Sequence, residues 1–408
     1  MDKRTLMKIL RDTAYVRMGG SKEELKCAEY IKNFCESFGC NAEIVPFEVP
    51  MGDVKQASLE IDGASIKCEG YMCCGSGTVE ADLYYLTGSD KFSLSECKGK
   101  IVMVDGYLGY WVYQDLIENG AVGFITYDGN TNYADKDIDK RELRSHVAKG
   151  NKILGVNINA KDAVKIIKAD AKKAKINVLQ EEYTGNSHNV VLDLPGEIKE
   201  TIVFTAHYDS TSLSKGAYDN MSGSVGLLAM AEHFAKAPHR HSMRFIWCGS
   251  EERGLLGAKA YCNANEEALK DIVLNINLDM IGCIMGKFIA CCTSEDKLVN
   301  YISYMALEKG FPTKAYQDVY SSDSTPFADK GIPAVSFARI APPNTATIHN
   351  SYDTIAVMKP ENMALDIKFI TEFAERMANS VFCPVAKEMP DNMKDKLDIY
   401  LCRKRDKK

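Results

Sequence analysis

The chain reads as an α/β protein, with a mainly parallel mixed sheet covered by helices on both faces and a β-rich domain inserted near its N-terminus. Three observations predict this. From residue 184 onward, apolar runs too short for helices alternate with helical segments, as in "TIVFTAH", "MRFIWCG", "IVLNINLDM" and "IPAVSFA". Runs that are apolar throughout, and not at every second position, mark strands buried on both faces, as parallel strands between helices are. Between residues 50 and 183 the texture changes to short strands and turns without chemically suggestive residues, and His146 is its one histidine. Finally, His and carboxylate side chains fall just after the later strands, where parallel sheets carry their ligand chemistry.

In chain order, "SKEELKCAEYIKNFCESFG" predicts an amphipathic helix. Ser21 and Glu24 form a capping box, Leu25, Ala28, Ile31, Cys35 and Phe38 recur at helical spacing, and Gly39 ends it. "AEIVPFEVP" predicts a strand, at an edge because of Pro46. Within the insert, "KIVMVDG" and "AVGFITYDG" flank "YQDLIENG", a helix stopped by Gly120. The expected domains are therefore 1–49 with 184–408, and an inserted 50–183. "SGSVGLLAMAEHFAK" predicts a helix after the His207 strand, and "LLGAKAYCN" begins another after the strand ending at Gly249.

Composition excludes several classes of function. A net charge of −6 gives no reason to expect nucleic acid or an anionic membrane as partner. No run approaches the ~20 apolar residues of a spanning helix or has the form of a signal peptide, so the expected compartment is the cytoplasm. The 14 cysteines are scattered without a C-x-x-C pair. Free buried thiols are expected, not disulfides or a cysteine zinc site.

The chemistry sits at the strand ends. His207 and Asp209 follow "TIVFTA", Asp219 precedes the next helix, Glu251 and Glu252 follow "FIWC", Asp279 ends "LNINL", and His349 lies in "ATIHNSYDT". Singly, each has an ordinary reading: an "EE" pair suits a helix start, and a lone histidine suits a surface loop. Convergence on one rim is what chance does not explain. Two histidines and three carboxylates suit zinc, with cobalt or manganese as alternatives. Residues two apart in an extended segment share a face, so Asp209 can hold the His207 ring. Three ligand carboxylates and a free glutamate carry four negative charges, which two divalent cations balance and one does not.

"HYDS", "GAYDNMSG", "SEERGLLG", "NLDMIG" and "IHNSYDT" resemble, in order and spacing, the motifs of the M28 family of co-catalytic zinc peptidases, which includes bacterial leucyl-type aminopeptidases. "SHNVVLDLPG", "SSDSTPFADKGIP" and the first helix resemble the same family, and "CKGKIVMVDG" with "NGAVGFITYDG" resembles its inserted protease-associated domain. The resemblance implies two Zn2+ ions. His207 and Asp279 would hold one, Glu252 and His349 the other, with Asp219 bridging, Asp209 orienting His207 and Glu251 as general acid/base. It also implies a cis peptide between Asp219 and Asn220. The implied reaction is hydrolysis of a peptide with a free N-terminus.

Tyr218 stands where many members have aspartate, and Ser324 follows Asp323 where many have histidine. Tyr320 and Arg339 lie in segments that line the pocket of relatives, where a tyrosine hydroxyl would stabilise the oxyanion and an arginine would hold a substrate carbonyl, with neither role fixed. Arg339 keeps a carboxypeptidase open, a dipeptidase shares the metal set, and a one-zinc glutaminyl cyclase would need fewer ligands. A non-catalytic binding protein would be expected to lack a ligand or Glu251.

Overall fold

The computed structural model describes residues 1–129, 131 and 138–406. They form two units, Met1–Glu48 with Asn186–Lys408, and Val49–Gly185.

The larger unit follows from strands that are apolar on both sides. Along Ile198–His207, Ile202, Phe204 and Ala206 enter one core while Val203, between them, enters the other. His241–Cys248 repeats this alternation, with Met243, Phe245 and Trp247 on the first side and Ile246 and Cys248 on the second. Phe204 and Phe245 stack with centroids 4.6 Å apart, a geometry worth about 0.5–1.5 kcal/mol beyond the area it buries. Helices Lys3–Thr13, Lys22–Ser37, Ser222–Phe234 and Pro360–Ala378 cover the first face, and Leu256–Ala264 and Ser324–Asp329 the second.

In this unit's sheet, Ile198–His207 lies between His241–Cys248 and Ile272–Leu278, parallel to both, and Ile272–Leu278 runs parallel to Ala334–Ile340. Residues 190–194 run antiparallel to His241–Cys248 on one side of the sheet. At the other edge, Lys287–Thr293 runs antiparallel to Ala334–Ile340 and parallel to Thr313–Gln317. These last two strands were not expected. "TKAYQ" is half-buried at an edge and has mixed polarity, so it carries little periodic signal. "KFIACCT" is short and apolar, which periodicity alone cannot assign.

Some polar residues of the central strands bond to one another. Thr205 Oγ1 donates to Asn277 Oδ1 at 2.8 Å, and Asn277 Nδ2 donates to Ser322 Oγ at 2.9 Å. The capping box is shifted by one residue. Ser21 Oγ accepts the Glu24 N–H as expected, but Glu24 Oε2 reaches the Gly20 N–H because its other oxygen accepts from Ser187 Oγ.

In the smaller unit, strands Gly77–Tyr85, Ile101–Met103, Gly123–Asp128 and Leu154–Asn159 lie parallel in that order. Cys68–Gly70 and residues 173–178 flank them antiparallel. Phe124 fills the centre of this unit's core, and a Cβ on Gly155 would stand 2.0 Å from its ring. No helix of the described residues is long and apolar enough to cross a membrane.

Candidate metal centre

The register of the parallel strands assembles the site. Thr205 pairs with Asn277, so His207 and Asp279, two residues further along each chain, emerge side by side at the carboxyl edge. Cys248 pairs with His207 on the other side, which brings the turn carrying Glu251 and Glu252 to the same rim. Asp219 sits in the irregular turn Ala217–Met221 opening the helix Ser222–Phe234, and its peptide bond to Asn220 is cis. Gly216 begins that turn at φ +55°, and a Cβ there would stand 2.7 Å from both Arg17 Nη2 and the Asp219 carbonyl. His349 lies in the loop after Ala334–Ile340.

Two groups of donors result: His207, Asp219 and Asp279, and Asp219, Glu252 and His349. His207 Nε2 is 3.2 Å from Asp219 Oδ1 and 3.6 Å from Asp279 Oδ1. His349 Nε2 is 3.1 Å from both Asp219 Oδ2 and Glu252 Oε2. Asp219 thus gives one oxygen to each group. Tetrahedral zinc with bonds of ~2.0–2.1 Å separates its ligand atoms by roughly 3.3 Å, close to these spacings. Asp279 Oδ1 is buried with no hydrogen-bond partner among the described residues. The donor types, spacing and unpartnered oxygen fit divalent cations. Glu251, with Oε2 3.9 Å from His207 Nε2, belongs to neither group.

Electrostatics point the same way. Burial disfavours a charged His207 ring, yet the neighbouring carboxylates of Glu251, Asp209, Asp219 and Asp279 push its pKa well above the usual value. His349 is pushed up to about 12, where Glu252 and Asp219 outweigh burial. Asp219 is buried too, but both histidines hold its carboxyl below the usual range. Burial raises Glu251 well above an ordinary glutamate; His207 opposes this, and Glu252, Asp323 and Asp279 add to it. The pocket therefore calls for positive charge.

Around the donors stands a set of supports. Asp209 accepts the Glu251 N–H at 3.0 Å and the Glu252 N–H at 3.2 Å, while its Oδ1 lies 3.4 Å from His207 Nδ1. Its firmer grip is thus on the glutamate turn. Asp353, four residues after His349, accepts the N–H groups of Tyr218 at 2.8 Å and Asp219 at 3.0 Å. The Tyr218 hydroxyl donates to the Arg339 carbonyl at 2.6 Å. Asp323 is fully buried, and neither of its oxygens has a hydrogen-bond partner among the described residues. The Tyr320 hydroxyl is likewise buried without a partner among them. Arg339 does not offer its guanidinium to a substrate. Nε is 2.8 Å from Asp366 Oδ2 and Nη1 donates to the Gly286 carbonyl at 3.1 Å, so a buried carboxylate neutralises the cation.

Asp353, Arg17 and Asp366 were not picked out from the sequence. Asp353 lies inside "ATIHNSYDT" but is recognisable only as a backbone anchor, and Arg17 sits some 190 residues from the carbonyls it holds. Nothing local signals such a contact.

A mixed α/β unit with a doubled donor set at the carboxyl ends of its strands defines a metal-dependent hydrolase class. Residues 189–372 match peptidase family M28, and the chain carries a peptidase M28 domain. Aminopeptidase YwaD of Bacillus subtilis is 29% identical over 340 residues, covering 79% of this chain and 71% of that protein. A probable leucine aminopeptidase of Arthroderma otae is 29% identical over 203 residues, covering 45% of this chain and only 56% of that protein. Among solved structures, BSAP, a zinc aminopeptidase from Bacillus subtilis, superposes with a TM-score of 0.76 at 23% identity, over 91% of this chain and 95% of that one.

Proposed function

We propose that the protein is a metal-dependent aminopeptidase that removes N-terminal residues from peptides. The observation carrying this reading is a pair of donor groups sharing Asp219, with the carboxylate of Glu251 beside them and in neither. His207 and Asp279 would hold one Zn2+, Glu252 and His349 the second, and Asp219 both, with Co2+ or Mn2+ able to substitute. When bound, such ions bring the pKa of a water toward neutrality and polarise a carbonyl. Glu251 would accept a proton from the attacking water as the water oxygen adds to the scissile carbon, and would pass that proton to the departing amine as the C–N bond breaks. Asp209, through the N–H groups of residues 251 and 252, keeps base and ligand pointed in different directions. The free α-amine of a peptide finds complementary charge in the carboxylate cluster. A carboxypeptidase would need a free cation for the terminal carboxylate, and the pairing of Arg339 with Asp366 weighs against it.

The smaller unit is read as a protease-associated-like insertion, supported by its compactness and its segments "CKGKIVMVDG" and "NGAVGFITYDG". The fourteen cysteines, most of them buried, favour a reducing cytoplasm.

Free and N-acetylated aminoacyl-p-nitroanilides and dipeptides, assayed with and without chelator, test the proposal. Activity confined to free N-termini and abolished by chelator is expected. Equal cleavage of blocked substrates would exclude an aminopeptidase, and activity surviving chelation would exclude metal dependence.

A further inference from the structure

Arg17 is fully buried, and its guanidinium meets only backbone carbonyls among the described residues. Two of these, Thr13 and Tyr15, belong to its own segment. The others belong to the two ends of the loop joining His207 to Asp219. Nε donates to the Tyr208 carbonyl, between His207 and Asp209, Nη1 to Lys215 at 2.6 Å and Nη2 to Gly216 at 2.8 Å. The Arg17 main chain is tied there too. Its N–H donates to Ser210 Oγ at 3.1 Å, and its carbonyl accepts from the Ser210 N–H at 3.3 Å.

We infer that Arg17 is a positioning residue for the metal centre: one guanidinium pins both ends of the loop at residues 208–216 and so fixes the separation of His207 and Asp219. Geometry requires arginine. A planar fork reaches carbonyls on two separate strands of backbone at once, whereas an ammonium is a single point on a flexible stem. Without the fork, the buried Tyr208 carbonyl would be left unpaired, the Lys215 carbonyl would lose its partner, and Gly216 would keep only the Met221 N–H. The loop would then relax at both ends, next to a ligand at each.

The inference rests on the metal-centre reading, and a titration with Co2+ separates the two. Wild-type protein that takes up no cobalt refutes the metal centre itself. If it does bind cobalt, Arg17→Lys, shown by circular dichroism to be folded, is expected to bind at least tenfold more weakly and to show an altered visible absorption spectrum. Ile302→Ala is the control, on a helix packed against Lys287–Thr293 and Thr313–Gln317. It lowers thermal stability but is expected to keep affinity and spectrum. Cobalt binding and a spectrum unchanged in Arg17→Lys, or lost equally in the control, would overturn the inference. Should Arg17→Lys not fold, Ser210→Ala decides, because it removes only the hydroxyl that accepts the Arg17 N–H. At least a threefold loss of affinity is expected, and wild-type affinity would overturn the inference.

Discussion

Replacing Glu251 by Gln exchanges one oxygen for an amide nitrogen with almost no change of volume, so neither a cavity nor a packing clash confuses the result. The same holds for Glu252→Gln one residue away, which makes the pair a controlled comparison. Glu252 Oε2 lies 3.1 Å from His349 Nε2 within a donor group, whereas Glu251 Oε2 stands 3.9 Å from His207 Nε2 outside both. An amide cannot take up a proton, and positioned general acid/base groups are worth ~10²–10⁴-fold. Glu251→Gln should therefore lower kcat by that factor, a barrier increase of about 3–5 kcal/mol, with two metal ions per chain retained. Glu252→Gln removes a charged donor and leaves the shared Asp219 and His349. Metal affinity at that position should fall at least tenfold, with activity restored in part by excess Zn2+. Metal content by elemental analysis after dialysis and kcat at saturating metal read out both effects. Loss of metal to the same degree in both variants, or near-normal kcat in Glu251→Gln, would refute the division of labour.

Exposure separates the two donor groups. The His349 side chain is 50% exposed and that of His207 2%. Limiting chelator should strip the ion held by Glu252 and His349 first, giving a one-metal species by elemental analysis. Simultaneous loss of both ions would contradict this. A pH effect is expected at Asp323, whose pKa is raised to about 7 chiefly by burial, with His207 opposing and Asp279 and Asp209 adding. A carboxyl whose folded pKa exceeds its unfolded one holds its proton more tightly when folded. Its contribution to stability thus declines as pH rises from about 4 through 7. Asp323→Asn should make the metal-free protein more resistant to urea than wild type at pH 8, with little difference at pH 4; the reverse order would be fatal to this reasoning.

Strands buried on both faces were legible because their apolar runs are continuous, and His207, Asp279 and the Glu251–Glu252 pair because they closely follow such runs. The irregular turn at Ala217–Met221 was implied only by the family resemblance, since no periodicity encodes it. What stayed hidden was long-range and polar. Arg17 looks like an ordinary arginine until the carbonyls of Tyr208, Lys215 and Gly216 surround it. Arg339 was legible as a cation near the pocket, but its neutralisation by Asp366 depends on the helix Pro360–Ala378, which no motif marks. Glu24 was readable as a cap, while its contact with Ser187 comes from a segment 163 positions away.

Tyr218 meets the loop bearing His349 at both of its ends. Its hydroxyl bonds to the Arg339 carbonyl and the Ala341 N–H, and its own N–H is held by Asp353. The stretch from 341 to 353 is thereby a cassette with fixed sockets, and its exposed residues 342–345 lie between the first socket and His349. Closing a longer loop costs only ~0.6 kcal/mol per doubling of length. Sequence drift, or an engineer, can therefore lengthen or re-letter that segment to reshape what approaches the centre while the imidazole stays at its station.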